Sequence, residues 1–310
     1  MAAFSVVTAS AACCLRGIMP ALLANVLIPS LFVLIWSTGF IAARYVAPHT
    51  EPLPFVAVRM LCVSLVLAGI ALAFRARWPR TVAGWRDALV AGVLMQGLYL
   101  LGVFWAVHRG LPAGIMALVG SLQPLATAML AGPVLGEAVS RRRWFGIGFG
   151  FLGAGLVLAP KIGAADPAGI PPVALAAGIG GVAALTIGTL WQKRSAADAD
   201  LLATATIQFL GAAGIAVPLA LTAGGGLALP PLLPVWLGMA WSVLVSSVAG
   251  ILLLLLLIRR GAVAGVSALL FLTPPVSAAM AYLMFGEALN GLQVAGMAVA
   301  AFGVAVANRG

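Results

Sequence analysis

The sequence predicts an all-α integral membrane protein. It has ten transmembrane helices in two inverted five-helix repeats, with the N- and C-termini cytoplasmic. Three observations carry this reading. First, 63% of the 310 residues are hydrophobic and 8% are charged. Soluble domains carry about 25% charged residues, so this chain has too few to cover a water-facing surface. Second, the apolar residues form runs of about 20, the length that spans a hydrocarbon core. They lack the polar–apolar alternation of a barrel. Third, the basic residues fall in short clusters between the runs and sort by side of the membrane.

The elements follow in order. Residues 1–21 lack a basic start and carry Ser5, Thr8 and Ser10. They fit a secretory signal poorly and read as a loose cytoplasmic extension, with Met19 an alternative start. The first repeat, 22–160, contains runs at 22–43, 53–74, 88–107, 112–135 and 144–160. Pro48, Pro52 and Pro54 turn the chain between the first two. A linker, 161–171, carries Pro167 and Pro171. The second repeat, 172–308, contains runs at 172–191, 201–221, 235–258, 262–285 and 288–307, with Gly224 to Pro231 as its main turn. Nothing left over is long enough for a separate soluble domain.

Orientation comes from the positive-inside bias. With the N-terminus inside, the inner segments hold Arg16, Arg75, Arg77, Arg80, Arg86, Arg141 to Arg143, Lys193, Arg194, Arg259, Arg260 and Arg309. The outer segments hold Arg44, Arg109 and Lys161. Thirteen against three decides the topology. The net charge of +10 therefore points to membrane sidedness and not to nucleic acid.

The repeat is visible in two matched pairs. "AGPVLGEAVSRRRW" (131–144) and "AYLMFGEALNGLQV" (281–294) share Gly-Glu-Ala in register, but only the first keeps its arginines. "HRGLPAGIMAL" (108–118) and "RRGAVAGVSAL" (259–269) share Arg-Gly, Ala-Gly and Ala-Leu, with the extra arginine in the second. Pro124 matches Pro275, Gly146 matches Gly296 and Gly153 matches Gly303. An odd number of helices per repeat inverts the second copy, so a loop that is inside in one copy is outside in the other. The arginines follow the side, not the copy. Inverted repeats place a substrate site near the midplane between the halves, which points to a secondary transporter.

The chain resembles the drug/metabolite transporter superfamily, the ten-helix type with paired domains. The resemblance rests on "LIWSTGF" (34–40), "PLPFVAVRM" (52–60), "GIMALVGSLQPLATAMLAGPVLGE" (114–137) and "GVSALLFLTPPVSAAMAYLMFGE" (265–287). It covers roughly 22–308. It implies export of small metabolites, amino acids foremost, from the cell through a bacterial inner membrane.

Candidate cavity residues are Trp36, Ser37, Arg59, Gln96, Tyr99, Gln123, Gln208, Trp241 and Thr273. Arg59 lies roughly 9 Å along its helix from Leu53. A charge at that depth either serves function or interior pairing or snorkels to the outer interface. Both readings stand here. Its repeat counterpart is Gln208. Gln96 and Tyr99, three apart, share a helix face. Trp36 is placed in the cavity by its neighbours Ser37 and Thr38. Pro124, Pro274 and Pro275 are read as helix kinks, since proline frees a carbonyl and bends the chain. Gln123 and Thr273 stand beside them, lining the cavity or bonding a neighbouring helix.

Glu137 and Glu287 are read as caps of the following helices, ahead of a role as coupling carboxylates. Gly146, Gly150 and Ala154 form a small-residue stripe for close packing. Such stripes pack helices within a bundle as readily as between chains, so oligomeric state stays open.

The remaining signals exclude functions. "GFGFLG" (148–153) lies in an apolar helix, without the strand that a dinucleotide fingerprint needs. His49 and His108 have no companion ligands, and Cys13, Cys14 and Cys62 form no ligand spacing. Neither metal nor other cofactor is expected. No phosphate-binding G-x-x-x-x-G-K-[ST] loop occurs, and the seven acidic residues form no catalytic cluster. The expected partners are a small-molecule substrate and the lipid bilayer. The polar lining suits neutral or zwitterionic solutes, and the resemblance implies amino acids among them. Drugs, lipophilic cations or sugar derivatives on the same scaffold are the alternative, ahead of a channel or a membrane-embedded enzyme.

Overall fold

The computed structural model describes residues 27–136, 139–163, 171–195, 200–259, 270–285 and 290–308. Every regular element among them is helical. The first repeat gives α1 (Ile28–Val46), α2 (Pro52–Ala73), α3 (Val82–His108), α4 (Ala113–Leu135) and α5 (Arg141–Gly163). The second gives α6 (Pro172–Arg194) and α7 (Leu201–Ala223). α8 follows as three continuous pieces, Leu233–Ala240, Trp241–Ala249 and Gly250–Arg259. The last elements are α9 (Thr273–Phe285) and α10 (Gly291–Asn308). Six of these, α1, α2, α3, α6, α7 and α8, contain stretches long and apolar enough to cross a membrane. The apolar parts of α4, α9 and α10 are shorter: Ile115–Leu130, Pro275–Met284 and Gly291–Ala307.

Helix starts are set by capping. Thr81 accepts from Gly84 N at 3.1 Å, so α3 begins six residues before its apolar run. Ser140 accepts from Arg143 N at 3.2 Å, which brings the three arginines into the first turn of α5. Asp200 accepts from Leu202 N at 2.9 Å and starts α7. Asn290 and Gln293 cap α10 reciprocally, at 2.9 and 3.0 Å. The caps of α5 and α10 are thus Ser140 and Asn290, each three residues ahead of the amide it serves. Glu137 and Glu287, read from the sequence as caps of these helices, lie outside the described residues.

Repeat-equivalent helices pack antiparallel. On α5 and α10, Gly146 meets Ala307, Gly150 meets Gly303, Gly153 meets Ala300 and Val157 meets Gly296. Numbers rise on one helix as they fall on the other. Shifting by the repeat offset of 150 residues, from Gly146 to Gly296, turns the Gly146–Ala307 contact into Gly296–Val157. It likewise turns Gly153–Ala300 into Gly303–Gly150. Contacts that exchange in this way define a local two-fold axis between the helices. α2 and α7 behave alike. The end of α7 reaches the start of α2, where a Cβ on Gly224 would lie 2.9 Å from that of Leu53. At the opposite end, Asp200 N donates to Arg77 O at 3.1 Å. α3 and α4 pack on α6, and α8 and α9 pack on α1. Each half therefore wraps the first helix of the other, around a core that includes Phe55, Met60, Leu67 and Phe209.

Candidate functional site

The site begins with the apolar face of α2. Met60, Val63 and Leu67 bury completely, and Arg59 is carried inward with them at 4% exposure. Its guanidinium does not reach an exposed edge, which removes the snorkelling reading. Nη2 and Nε both donate to the Ser247 hydroxyl of α8, at 2.9 and 3.3 Å. Cζ lies 5.6 Å from the ring centroid of Phe104 on α3, within cation–π range. Phe104 in turn stacks on Phe55, 5.5 Å away. Tyr99 is buried on the same helix, five residues before Phe104. Among the described residues no carboxylate pairs with Arg59.

Two wide turns shape this region. α3 carries a π-helical stretch at Val93–Leu98, where Tyr99 N bonds Leu94 O, and α8 carries one at Trp241–Ala249. The offset from His108 to Arg259 is 151 residues. It maps the first stretch onto the second and Gln96 onto Ser247. Each π turn adds a residue to one helical turn and re-aims its side chains, a device common at functional sites. Ser247 thereby faces Arg59. Half-buried Gln96 occupies the matching position in the other half. Beneath it, the backbone of Gln208 touches Gly92 so closely that a Cβ there would overlap it. The Nε2 of Gln208 is buried without a partner.

The other expected residues separate into smaller groups. Gln123 Nε2 donates to Thr127 at 3.0 Å and to Thr189 of α6 at 3.4 Å, while its Oε1 is unpartnered. Trp241 Nε1 donates to Thr38 at 3.0 Å, and Thr38 lies 3.3 Å from Ser246. The Ser37 hydroxyl bonds Val33 O in its own helix at 2.7 Å, and Ser277 reaches the Ser37 carbonyl at 3.4 Å. Trp36 is half-buried. It packs on Phe32, with ring centroids 5.5 Å apart, against an apolar cluster with Ile28 and Val33, and the polar contact of this stretch is made by Thr38.

Pro124 lies inside α4, whose helix continues through it. Pro274 and Pro275 stand in the first turn of α9, after a 3-10 turn at Leu270–Leu272. The helical geometry changes from 3-10 to α at these prolines, and residues 260–269 before them lie outside the described residues. Thr273 is buried beside them with its hydroxyl unpartnered, as is that of Ser242.

The EamA-like transporter family matches residues 22–159 and again 172–309. The chain belongs to this family, within the drug/metabolite transporter superfamily. It is 32% identical over 142 residues to Protein PecM of Dickeya dadantii (strain 3937), covering 46% of each chain. It is 22% identical over 188 residues to the uncharacterized transporter YvbV of Bacillus subtilis (strain 168), covering 59% of this chain and 58% of that one. The chain thus spans about half the length of these curated relatives. A solved crystal structure shares the fold, with a TM-score of 0.68, 20% identity, and coverage of 91% of this chain and 95% of that one. The chain is thus a member of a transporter family with six helices long and apolar enough to cross a membrane, and its family and its named relatives point towards transport.

Sequence reasoning missed Ser247 and Phe104, and named Thr38 only as a neighbour of Trp36. A signal for Ser247 existed: the 151-residue offset that aligns the two Arg-Gly hairpins also places Ser247 opposite Gln96.

Proposed function

We propose that the chain exports small metabolites bearing a carboxylate, neutral or zwitterionic amino acids foremost, across a bacterial inner membrane. It spans the bilayer ten times with both ends in the cytoplasm and works by alternating access of its two halves. The observation that supports this reading is the buried Arg59 guanidinium. A buried charge is costly unless paired and hydrogen-bonded. Among the described residues Arg59 has one hydroxyl and one ring face, and no carboxylate. A substrate carboxylate supplies the missing counter-charge and fits the planar donor fork. A cationic substrate would meet a like charge instead. Gln96, Tyr99, Gln123, Gln208 and Thr273 provide amide and hydroxyl groups for the rest of the solute.

Counterflow with the purified full chain in proteoliposomes tests this. Vesicles loaded with one unlabelled amino acid should take up the labelled form transiently and saturably. A matching amine without the carboxylate should give no counterflow. Equal counterflow of acid and amine would remove Arg59 from recognition.

A further inference from the structure

The geometry points to a binding site for one anionic phospholipid on the outer face of α5. The groove there has a volume of about 520 Å³ and is lined by Arg141, Trp144, Phe145, Gly148, Phe149 and Leu152. The spacing is that of a single helix face. Gly148 forms its floor: a Cβ there would meet no atom within 4 Å. Phe149 is braced edge-on against Phe302 of α10, 5.4 Å away.

Length and charge identify the occupant. From Arg141 to Leu152 the stripe runs about 16 Å at 1.5 Å per residue. One leaflet of a hydrocarbon core about 30 Å thick is about 15 Å deep. Its apolar part, Trp144 to Leu152, runs about 12 Å and lies within that depth, as a seat for an acyl chain along the helix. The charged end carries Arg141 with its exposed neighbour Arg142 and half-buried Arg143. Among the described residues no carboxylate pairs with any of the three. Trp144 stands at the boundary, where indoles settle at headgroup level. Arginine clusters at a membrane surface attract anionic headgroups, and their planar forks suit a phosphodiester. The site lies outside the bundle, independent of Arg59.

Native mass spectrometry of the full chain in detergent, titrated with phosphatidylglycerol or phosphatidylcholine, tests it. The wild type should retain one phosphatidylglycerol in preference to phosphatidylcholine. Arg141→Gln and Arg142→Gln should each weaken phosphatidylglycerol about five-fold and leave phosphatidylcholine unchanged. Gly148→Trp fills the floor and should abolish the single-lipid adduct. Gly180→Trp on α6, where a Cβ also meets open space, should bind like wild type. Equal retention of both lipids by the wild type would overturn the proposal, as would unchanged phosphatidylglycerol retention in the arginine variants. A wild-type dimer split by Gly148→Trp, without lipid preference, would also overturn it by seating a second copy on the groove. If Gly148→Trp does not fold, the arginine variants alone decide.

Discussion

Arg59 concentrates the chemistry at the scale of single residues. Its two donors to Ser247 fix the guanidinium plane, while the rest of the fork stays available. Arg59→Lys keeps the charge but loses the planar fork. It should cut initial counterflow rates at least several-fold at equal protein. Arg59→Gln, which copies Gln208 of the other half, should cut them further. Wild-type rates in the Lys variant would show that charge alone suffices and end the carboxylate-fork reading. Ser247→Ala removes a hydrogen bond to a charged group, which contributes about 1.5–3 kcal/mol. The guanidinium then loses its anchor, and apparent substrate affinity should fall about ten-fold or more with insertion intact. Unchanged affinity would mean that Ser247 orients nothing the substrate meets. The arginine was legible in the sequence because a lone charge in an apolar run is conspicuous. Ser247 was not, because a serine within "WSVLVSSVAG" (241–250) looks like any small helix residue and its partner is 188 residues away.

The informative elements are α5 and α10, the π stretches and the proline-led start of α9. The small-residue stripe on α5 was legible from spacing, and the structure gives it a partner. Gly153 faces the backbone of Ala300, and Gly303 faces that of Gly150. Neither backbone can move away cheaply. Gly153→Ala and Gly303→Ala should therefore each destabilise the fold by about 1–3 kcal/mol through overpacking. Their local two-fold relation makes the two losses similar. Gly155→Ala, in open space, should be neutral or stabilise by about 0.5–1 kcal/mol, since alanine is the better helix former. Thermal unfolding of the three variants in detergent checks this. Equal stability of all three would place the close crossing elsewhere. Helix starts were less legible than the apolar runs. The first turn of α5 is three arginines, and that of α3 is cut off from its apolar run by Arg86 and Asp87, so capping by Thr81 and Ser140 fixes both starts. The π turns left no mark in the apolar pattern, because they change which way side chains point without changing composition.

Across the whole molecule, the arginine swap between repeats and the antiparallel pairing of equivalent helices are independent signs of one inversion. The first is electrostatic and read from charge placement. The second is steric and read from α5 against α10 and α2 against α7. They make separable claims: the contacts say that equivalent ends lie on opposite faces, and the arginines say which face is cytoplasmic. Two single cysteines in a cysteine-free background separate them. Arg80→Cys follows the end of α2, and Ala228→Cys follows the end of α7, both at exposed positions. An impermeant thiol reagent added to intact cells should label the second and spare the first, and permeabilised cells should show both. The opposite pattern would keep the inversion and reverse the orientation, leaving the positive-inside bias misread. Labelling of both from outside would break the inversion itself, because helices packed antiparallel cannot present equivalent ends to one side. The sign of transport follows from the same measurement. Whichever face Arg80 marks as cytoplasmic sets the direction in which a carboxylate released from Arg59 must leave to count as export.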